Sequence, residues 1–293
     1  MKDEINLRSY GKINLCLDVL RRRGDGYHEV RMIMQTVSLF DRLALRRTAE
    51  PGIRIRSNLP YLPTGPENLA YRAAALLMDE FCLDGGIFLN LYKRIPVAAG
   101  MAGGSSNAAA VLVGVNRLFG LGLSRKELME RAVSLGADVP YCVMRGTALA
   151  EGIGEKLSPL PPMPDCHILL AKPPFSVSTK SVYGSLKAEE LEAHPDVDGV
   201  IRSLEAGDLK GIAAGMGNVL ETVTIPAYPR ILRIKECMEQ SGALAALMSG
   251  SGPTVFGIFE SLEEAEEAAR KIRDERLTRQ VYTVRPYNSR NGA

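Results

Sequence analysis

Apolar and polar residues alternate, or run together, through the first sixty residues of the chain in the manner of β-strands. The pattern predicts strands over residues 5–8, 12–21, 29–40, 42–47 and 53–57. A similar apolar run over residues 87–92 precedes a loop of small residues. Beyond that loop, apolar residues recur at helical spacing from Ser105 to about Phe119, which predicts a long helix.

Helix-capping residues mark where two further helices are expected to begin. Thr64 and Glu67 have the spacing of a capping box and predict a helix to about residue 81. Ser124 and Glu127 repeat this spacing and predict a helix to about residue 135. The first half of the chain is therefore predicted to consist of strands with helices inserted between them.

A proline-rich stretch over residues 158–164 interrupts this pattern and is the best candidate for a domain boundary. We therefore predict one domain over residues 1–160 and a second over residues 161–293. In the second domain, strands are predicted over residues 167–171, 245–248, 254–259 and 280–285. Helices over residues 229–241 and after Ser261 complete a small α+β sandwich.

The loop that precedes the long helix reads Pro-Val-Ala-Ala-Gly-Met-Ala-Gly-Gly-Ser-Ser. Small side chains let backbone N–H groups approach a ligand, and the helix directs its unpaired N–H groups and positive dipole end toward the same place. This combination predicts a site for anions such as nucleotide phosphates. The residues expected to bind the nucleotide there are Pro96, Val97, Ala98, Ala99, Gly100, Met101, Ala102, Gly103, Gly104, Ser105 and Ser106.

The loop matches neither of the two commonest phosphate-binding signatures. No Lys follows Gly104, as it would in G-x-x-x-x-G-K-[ST], and strict G-x-G-x-x-G occurs nowhere in the chain. A P-loop NTPase and a Rossmann dehydrogenase are therefore disfavoured. The hydroxyl groups of Ser105 and Ser106 can contact a phosphate oxygen or a bound Mg²⁺. For the loop alone, a tight turn without a ligand is the alternative interpretation.

Composition narrows the class of protein further. Hydrophobic residues make up 46% of the 293 positions and charged residues 24%, which is typical of a soluble globular protein. The net charge of +2 and the lack of an 18-residue apolar run favour neither nucleic acid nor a membrane as a partner. Five scattered cysteines and no visible signal peptide indicate a cytoplasmic location. The histidines are far apart, so no metal site is predicted.

Three segments occur in a recognisable order along the chain. YGKINL stands at residues 10–15, the small-residue loop lies in the middle, and MSGSGPT stands at residues 248–254. With GDGYHEV at residues 24–30 and GADVPYCV at residues 136–143, these segments make the chain resemble the GHMP small-molecule kinases. The resemblance covers essentially the whole chain and is weakest over residues 188–215.

The resemblance implies a two-domain α+β fold, with an N-terminal mixed α/β domain that contains a left-handed β-α-β crossover and a C-terminal ferredoxin-like domain. It also implies phosphoryl transfer from ATP, with Mg²⁺, to the 2-hydroxyl of a small molecule, a cytidine-diphosphate-linked methylerythritol. A homoserine-, mevalonate- or galactose-type kinase is one alternative, and a non-catalytic ligand-binding regulator is another. The chain is expected to be a monomer or a weak homodimer.

Two residues match the catalytic positions of the family. Asp138, in the loop after Leu135, matches its aspartate, and Lys12 matches the lysine that would keep this carboxylate ionised and favour developing alkoxide charge. A carboxylate that can accept the hydroxyl proton helps because a tertiary alcohol is a poor nucleophile near neutral pH. Ala98 and Ala102 stand where the family typically has glycine.

The resemblance also assigns residues to the two ends of the expected site. Tyr27 and His28 would stack on the cytosine and hydrogen-bond to it. The other residues implied at the substrate are Asn14, Thr179, Tyr183, Gly250 and Ser251. Asn68 and Lys93 match family positions near the adenosine of ATP.

Overall fold

The first two strands are each longer than predicted. In the computed structural model, which describes residues 3–288, β1 spans Glu4–Arg22 and β2 spans His28–Thr48. The predicted interruptions near Tyr10 and Asp41 were wrong, because the backbone stays extended through both. Asp41 is completely buried in β2, where four hydrogen-bond donors satisfy its carboxylate.

The chain forms two compact units that are interleaved along the sequence. Among the described residues, the first unit comprises residues 3–11, 39–97 and 102–144. The second unit comprises residues 12–38, 98–101 and 145–288. The small-residue loop therefore contributes residues to both units. The division into domains 1–160 and 161–293 concerns continuous stretches of sequence and stays a prediction.

The first unit contains a parallel β-α-β arrangement. β3 (Gly52–Ser57) pairs in parallel with β4 (Gly86–Tyr92), and α1 (Leu69–Glu80) connects them. β4 also pairs in antiparallel register with the C-terminal half of β2. The other helical elements of this unit are α2 (Gly103–Phe119), α3 (Arg125–Ala132), a 3-10 turn (Val133–Leu135) and α4 (Asp138–Met144).

Helix α2 is central to the first unit and packs against α1 and α4. A Cβ at Gly114 would lie 2.5 Å from Leu45 Cδ2, so only glycine allows this approach of α2 to β2. The predicted capping box at Ser124 is confirmed at the start of α3. The helix start predicted at Thr64 was wrong, because a turn precedes α1 and Asn68 caps it.

Three short strands of the second unit had no counterpart among the predicted elements. The N-terminal half of β2 pairs with β5 (Thr147–Gly152), which pairs in turn with β6 (Lys156–Pro159). β8 (Gly217–Asn218) pairs in parallel with β1. The short helical elements between the predicted strands are α5 (Thr179–Ser185), a 3-10 turn (Ala188–Glu190), α6 (Val197–Ala206), α7 (Leu209–Gly215) and α8 (Glu221–Ala227).

A second, fully antiparallel sheet completes the second unit. Its strands are β7 (His167–Lys172), β9 (Ala245–Met248), β10 (Val255–Phe259) and β11 (Gln280–Val284). Their order is β11-β7-β10-β9, and α9 (Arg230–Glu239) and α10 (Leu262–Asp274) pack against this sheet. In chain order within this sheet, the first strand (β7) lies between the fourth (β11) and the third (β10), and the second (β9) is at the edge. This is the ferredoxin-like strand order. This part of the predicted fold is confirmed.

Helix lengths and apolar content also bear on a membrane location. Among residues 3–288, no helix combines the length and the apolar character that crossing a bilayer requires.

Candidate active site

The small-residue loop enters α2 through three residues in the left-handed region of backbone space. The φ angle is 50° at Ala98, 72° at Gly100 and 52° at Ala102. This conformation costs an L-residue about 1–2 kcal/mol relative to glycine, which is a physical reason for glycine at the two alanine positions. At Gly100 itself, a Cβ would lie 2.1 Å from the carbonyl oxygen of Ser249, so no larger residue fits.

The first turn of α2 leaves backbone N–H groups without helical acceptors. Its first hydrogen bond runs from Ser106 N–H to Ala102 O at 2.8 Å. The three N–H groups that precede this bond belong to Gly103, Gly104 and Ser105. Gly104 is exposed, and a Cβ there would meet no atom closer than 3.7 Å. This helix end is therefore open to an anion.

The two serines of the loop differ in what their hydroxyl groups can do. Ser106 is buried, and its hydroxyl donates to Tyr10 O at 2.6 Å while it accepts from Ser9 Oγ at 3.0 Å. Ser9 Oγ also accepts from Asn107 Nδ2 at 2.7 Å. Since the Ser106 proton is bonded to a backbone carbonyl, Ser105 is the better candidate for a hydroxyl contact with phosphate.

A buried ion pair lies beside the start of α2. Asp41 Oδ1 accepts from the N–H groups of Arg94 and Ile95 at 2.7 and 2.8 Å. Its Oδ2 accepts from the Lys93 ammonium and from Asn107 Nδ2. Lys93 Nζ also donates to Asn107 Oδ1 at 2.9 Å. We call this group the Asp41 network, and its members are Asp41, Lys93, Asn107, Ser9 and Ser106.

The two residues expected near the adenosine both have structural partners. Lys93 is buried, and its charge is paired with Asp41. Asn68 caps α1 by accepting from Ala70 N–H at 2.9 Å, and its Nδ2 donates to Pro63 O at 2.7 Å. Their contacts with adenosine stay predictions, and each side chain already contributes to the local fold.

All three sequence motifs contribute residues to one place in the second unit. Lys12 N–H donates to Met101 O at 3.2 Å, and Lys12 Nζ donates to Asn14 Oδ1 at 2.6 Å. Ser249 Oγ donates to Gly100 O at 2.9 Å. Residues 98–101 of the loop are thus held between the strand that carries Lys12 and the turn that contains Ser249.

Four of the residues expected at the substrate form two contacts in the same unit. Thr179 Oγ1 lies 2.8 Å from Ser251 Oγ, which joins the start of α5 to the turn between β9 and β10. The rings of His28 and Tyr183 lie 5.2 Å apart at an angle of 46°. Helix α5 therefore contacts both His28, at the end of the β1–β2 hairpin loop, and the turn of residues 249–252 between β9 and β10, which we call the glycine–serine turn.

The hairpin loop between β1 and β2 is ordered by the Asp25 carboxylate. Its Oδ1 accepts from Tyr27 N–H at 3.1 Å, and Arg23 forms an ion pair with it at 2.9 Å. These interactions, with the Tyr27 hydrogen bond foremost, lower the pKa of Asp25. The Tyr27 side chain is 60% exposed, so its ring is available to a ligand.

His28 has an environment that favours the neutral imidazole. Burial is the main cause of a lowered pKa, and the positive charge of Arg22 adds to it. A neutral ring offers one donor and one acceptor, which suits the hydrogen-bonding edge of a cytosine.

Asp138 lies in the first unit, where it is half-buried. Its predicted position in a loop was wrong, because it is the first residue of α4. Its place at the helix start follows a turn in which Val139 N–H donates to Gly136 O at 3.1 Å. An aspartate in the first helical turn is a common helix-stabilising choice, so its position alone does not identify a catalytic role.

Comparisons with known proteins place this geometry in a family. The model of the GHMP kinases N-terminal domain matches residues 68–146, and that of the GHMP kinases C-terminal region matches residues 200–276. The chain is 54% identical to "4-diphosphocytidyl-2-C-methyl-D-erythritol kinase" of Lachnospira eligens, over 97% of this chain and 99% of that protein. It is 51% identical to the protein of the same name from Lachnoclostridium phytofermentans, over 99% of each.

The chain belongs to the GHMP kinases. A crystal structure of 4-(cytidine 5'-diphospho)-2C-methyl-D-erythritol kinase matches it with a TM-score of 0.84 and 33% identity, over 97% of this chain and 100% of that one. The predicted two-domain fold and the predicted kinase activity are confirmed, and the non-catalytic alternative is set aside. As a kinase of this family, the chain uses ATP.

Several polar residues of this kinase were missed in the sequence. The pattern predicts a break between two strands at Asp41, although a charge inside an apolar run is itself an indication of a buried ion pair. Asn107 sits one residue beyond the predicted loop. Asn218 binds Met248 and Gly250, and Glu221 binds Met248; both occur in a segment without a recognisable pattern, so only the structure reveals them.

Proposed function

We propose that this kinase transfers the terminal phosphoryl group of ATP to the 2-hydroxyl of 4-diphosphocytidyl-2-C-methyl-D-erythritol, yielding the 2-phosphate and ADP. The reaction belongs to the methylerythritol phosphate route to isoprenoid precursors. The observation that carries the proposal is the near full-length identity of 54% and 51% to relatives named for this substrate. The contacts among residues expected at the substrate, in the second unit, support it further.

The start of α2 supports a role in holding the phosphates of ATP. The N–H groups of Gly103, Gly104 and Ser105 and the exposed face of Gly104 fit an anion without side-chain obstruction. Among residues 3–288, no three His, Cys, Asp or Glu side chains form a metal-binding group. This fits Mg²⁺ that is held mainly by phosphate oxygens and water, where it would neutralise phosphate charge. The Ser105 hydroxyl is the loop side chain that would bind this ion, because the Ser106 hydroxyl already donates to Tyr10 O.

Asp138 and Lys12 are the residues to which we assign the chemistry. Asp138 is proposed to accept the proton of the 2-hydroxyl, and Lys12 to favour the developing negative charge. General-base assistance contributes about 10²–10⁴ in rate. The rest of the acceleration must therefore come from positioning and from neutralisation of phosphate charge.

The β1–β2 hairpin loop is proposed to recognise the cytosine. A neutral His28 can donate to and accept from the base, while the exposed ring of Tyr27 can stack on its face. Asn14, Thr179, Tyr183, Gly250 and Ser251 are proposed to complete the substrate end. Specificity over homoserine and mevalonate would follow, because neither has a base for this loop to bind.

The family also suggests the setting in which this kinase works. We assign it to the cytoplasm, as a monomer or weak homodimer acting on small molecules rather than on nucleic acid or a membrane. Its five cysteines all lie within the described residues and form no disulfide there, which fits a reducing compartment. Burial raises the pKa of Cys16 and Cys166 to about 12, which disfavours the reactive thiolate at both. A domain boundary near residue 160 is part of the same proposal.

An ADP-release assay tests the proposal directly. The protein is incubated with ATP, Mg²⁺ and one of three alcohols: the cytidine-linked substrate, homoserine or mevalonate. ADP should form rapidly only with the first. Faster release with either of the others would assign a different substrate to this kinase.

The variant Asp138→Asn tests the assignment of the base. Because the change removes a proton acceptor at nearly constant volume, kcat should fall by at least about 10² while calorimetry shows unchanged affinity for ATP. A variant that keeps more than about a tenth of the wild-type kcat would exclude Asp138 as general base.

A further inference from the structure

The side chain of Asn218 binds the end of β9 and the turn that follows it. It is buried, and its Nδ2 donates to Met248 O at 2.7 Å and to Gly250 O at 2.8 Å. Its Oδ1 accepts from Leu220 N–H at 3.0 Å. One amide hydrogen therefore binds the last residue of β9, and the other binds Gly250 in the turn of residues 249–252, which joins β9 to β10.

The backbone around Asn218 is attached to β1. In the parallel pairing of β8 with β1, Asn218 lies opposite Leu17, and Val219 N–H donates to Leu17 O at 3.0 Å. β1 also carries Lys12 and Asn14. Asn218 thus connects β1, which carries Lys12 and Asn14, directly to the turn of residues 249–252.

Glu221 fixes the base of the same turn on its other side. Its Oε1 accepts from Met248 N–H at 2.7 Å, and its Oε2 pairs with Lys235 Nζ at 2.5 Å. Asn218 and Glu221 together bind both backbone polar groups of Met248. The last residue of β9 is therefore held by two side chains in addition to its pairing with β10.

The turn needs such restraint because its own backbone is permissive. Gly250 and Gly252 have φ angles of 58° and 87°, a region that glycine enters and leaves easily. Inside the turn, Ser249 N–H bonds to Thr254 O at 2.8 Å and Gly252 N–H bonds to Ser249 O at 3.0 Å. Asn218 adds an external restraint at Gly250, which takes part in neither of these two internal bonds.

Two serines of the turn bind residues outside it. Ser249 Oγ donates to Gly100 O at 2.9 Å, and Ser251 Oγ lies 2.8 Å from Thr179 Oγ1. A shift of the turn would therefore move contacts with the small-residue loop and with α5 together.

We propose that Asn218 is a positioning residue for the alcohol substrate. It sets the distance of Gly250 and Ser251 from β1 and acts only through the turn, without touching the substrate. The part of this proposal that concerns the substrate rests on the proposed function. The part that concerns the turn can be tested without any substrate.

Amide hydrogen exchange in the free protein tests the hold on the turn. In Asn218→Ala, exchange at Ser249 and Gly252 should accelerate by about tenfold or more. The matched control is Asn116→Ala, because Asn116 likewise binds Leu123 through both its Nδ2 and its Oδ1, at 2.8 and 3.0 Å. That control should leave both turn amides unchanged, and unchanged exchange in Asn218→Ala would overturn the proposal.

Asn218→Asp keeps the experiment informative if the alanine variant folds poorly. Aspartate preserves the shape and the acceptor for Leu220 N–H, and when ionised it lacks both donors to the turn. Its turn amides should exchange as fast as those of Asn218→Ala. Wild-type protection in Asn218→Asp would show that the two donated hydrogen bonds do not hold the turn.

Steady-state kinetics test the consequence for the substrate. Asn218→Ala should raise KM for the cytidine-linked alcohol about tenfold or more and change KM for ATP less. In the Asn218→Ala background, Ser251→Ala should raise KM for the alcohol only slightly further. In the Asn116→Ala background, Ser251→Ala should raise this KM as much as it does in the wild-type protein. Additive losses in both backgrounds would overturn the positioning role. If the wild type does not turn over this alcohol at all, the proposed function fails, and the exchange result still decides the role of Asn218.

Discussion

The Asp41 network and the Asn218 turn contacts hold comparable loops by different chemistry. Asp41 is completely buried and accepts four hydrogen bonds, one of them from the Lys93 ammonium. Asn218 is neutral and binds two backbone carbonyls. The first holds the strand end that leads into the small-residue loop, and the second holds the glycine–serine turn.

The difference teaches what each region can tolerate. Removal of one partner of a buried ion pair leaves an uncompensated charge, so the penalty falls on folding itself. Removal of a neutral amide leaves carbonyl groups that water can reach when the turn loosens, so the penalty falls on local order. We therefore expect substitutions in the Asp41 network to act on stability, and substitutions at the turn to act on substrate binding.

The largest effect on stability should come from Asp41→Ala, which leaves the buried Lys93 ammonium without its carboxylate partner. The free energy of unfolding should fall by about 3–5 kcal/mol, as measured by urea denaturation. Asp165→Ala is the matched control, because Asp165 pairs with Arg285 at 2.6 Å while both side chains are more than half exposed (77% and 52%). The control should lose less than about 1 kcal/mol. Equal losses in the two variants would remove the distinction between the regions.

A pair of adjacent glycines separates fold from nucleotide binding in the first unit. Gly104→Val places a side chain over the open end of α2, where the nearest atom to a Cβ is 3.7 Å away, and should weaken ATP binding about ten- to hundredfold in calorimetry with little change in Tm. In Gly103→Ala the Cβ would lie 3.0 Å from Ile95 Cγ2 and 3.2 Å from Lys93 Nζ, so stability should fall instead. Unchanged ATP affinity in folded Gly104→Val would separate this helix end from the nucleotide.

The smallest effect should be a pH dependence of stability and of kcat/KM that arises from His28, in the second unit. Burial lowers the pKa of His28 below its ordinary 6.5, so the ring is neutral near pH 7 and becomes charged only as the pH falls below 6.5. The folded state then binds fewer protons than the unfolded state, so stability decreases as pH falls through this range. For the same reason, kcat/KM for the cytidine-linked alcohol should decline severalfold below pH 6.5.

His28→Ala should abolish this decline, and KM for ATP should stay nearly the same. His167→Ala is the control, because His167 begins β7 and no site role is assigned to it. The control should keep the wild-type pH profile. A decline centred above pH 6.5, or one that persists in His28→Ala, would contradict the assignment of the cytosine to this loop.

Much of the candidate site could be predicted because its chemistry depends on local sequence. The Ala102–Ser106 segment starts a helix, as its small residues and the apolar periodicity that follows them predict. The Ser124 capping box and the strands β9 and β10 formed as predicted for similar reasons. The segments at residues 10–15 and 248–254 together indicated the GHMP kinase family, and the comparisons confirm this family.

What only the tertiary structure decided depends on partners that are distant along the chain. Asp41 continues a strand rather than ending it because Lys93 and Asn107 neutralise and bind its carboxylate. The carbonyl acceptors of Asn218 lie 30 and 32 residues further along the chain, and no pattern at either place predicts the pairing. Local sequence determines backbone preference and periodicity, which act over a few residues. Burial of a polar group depends on which donors the fold brings to it, and that is settled only when the chain has packed.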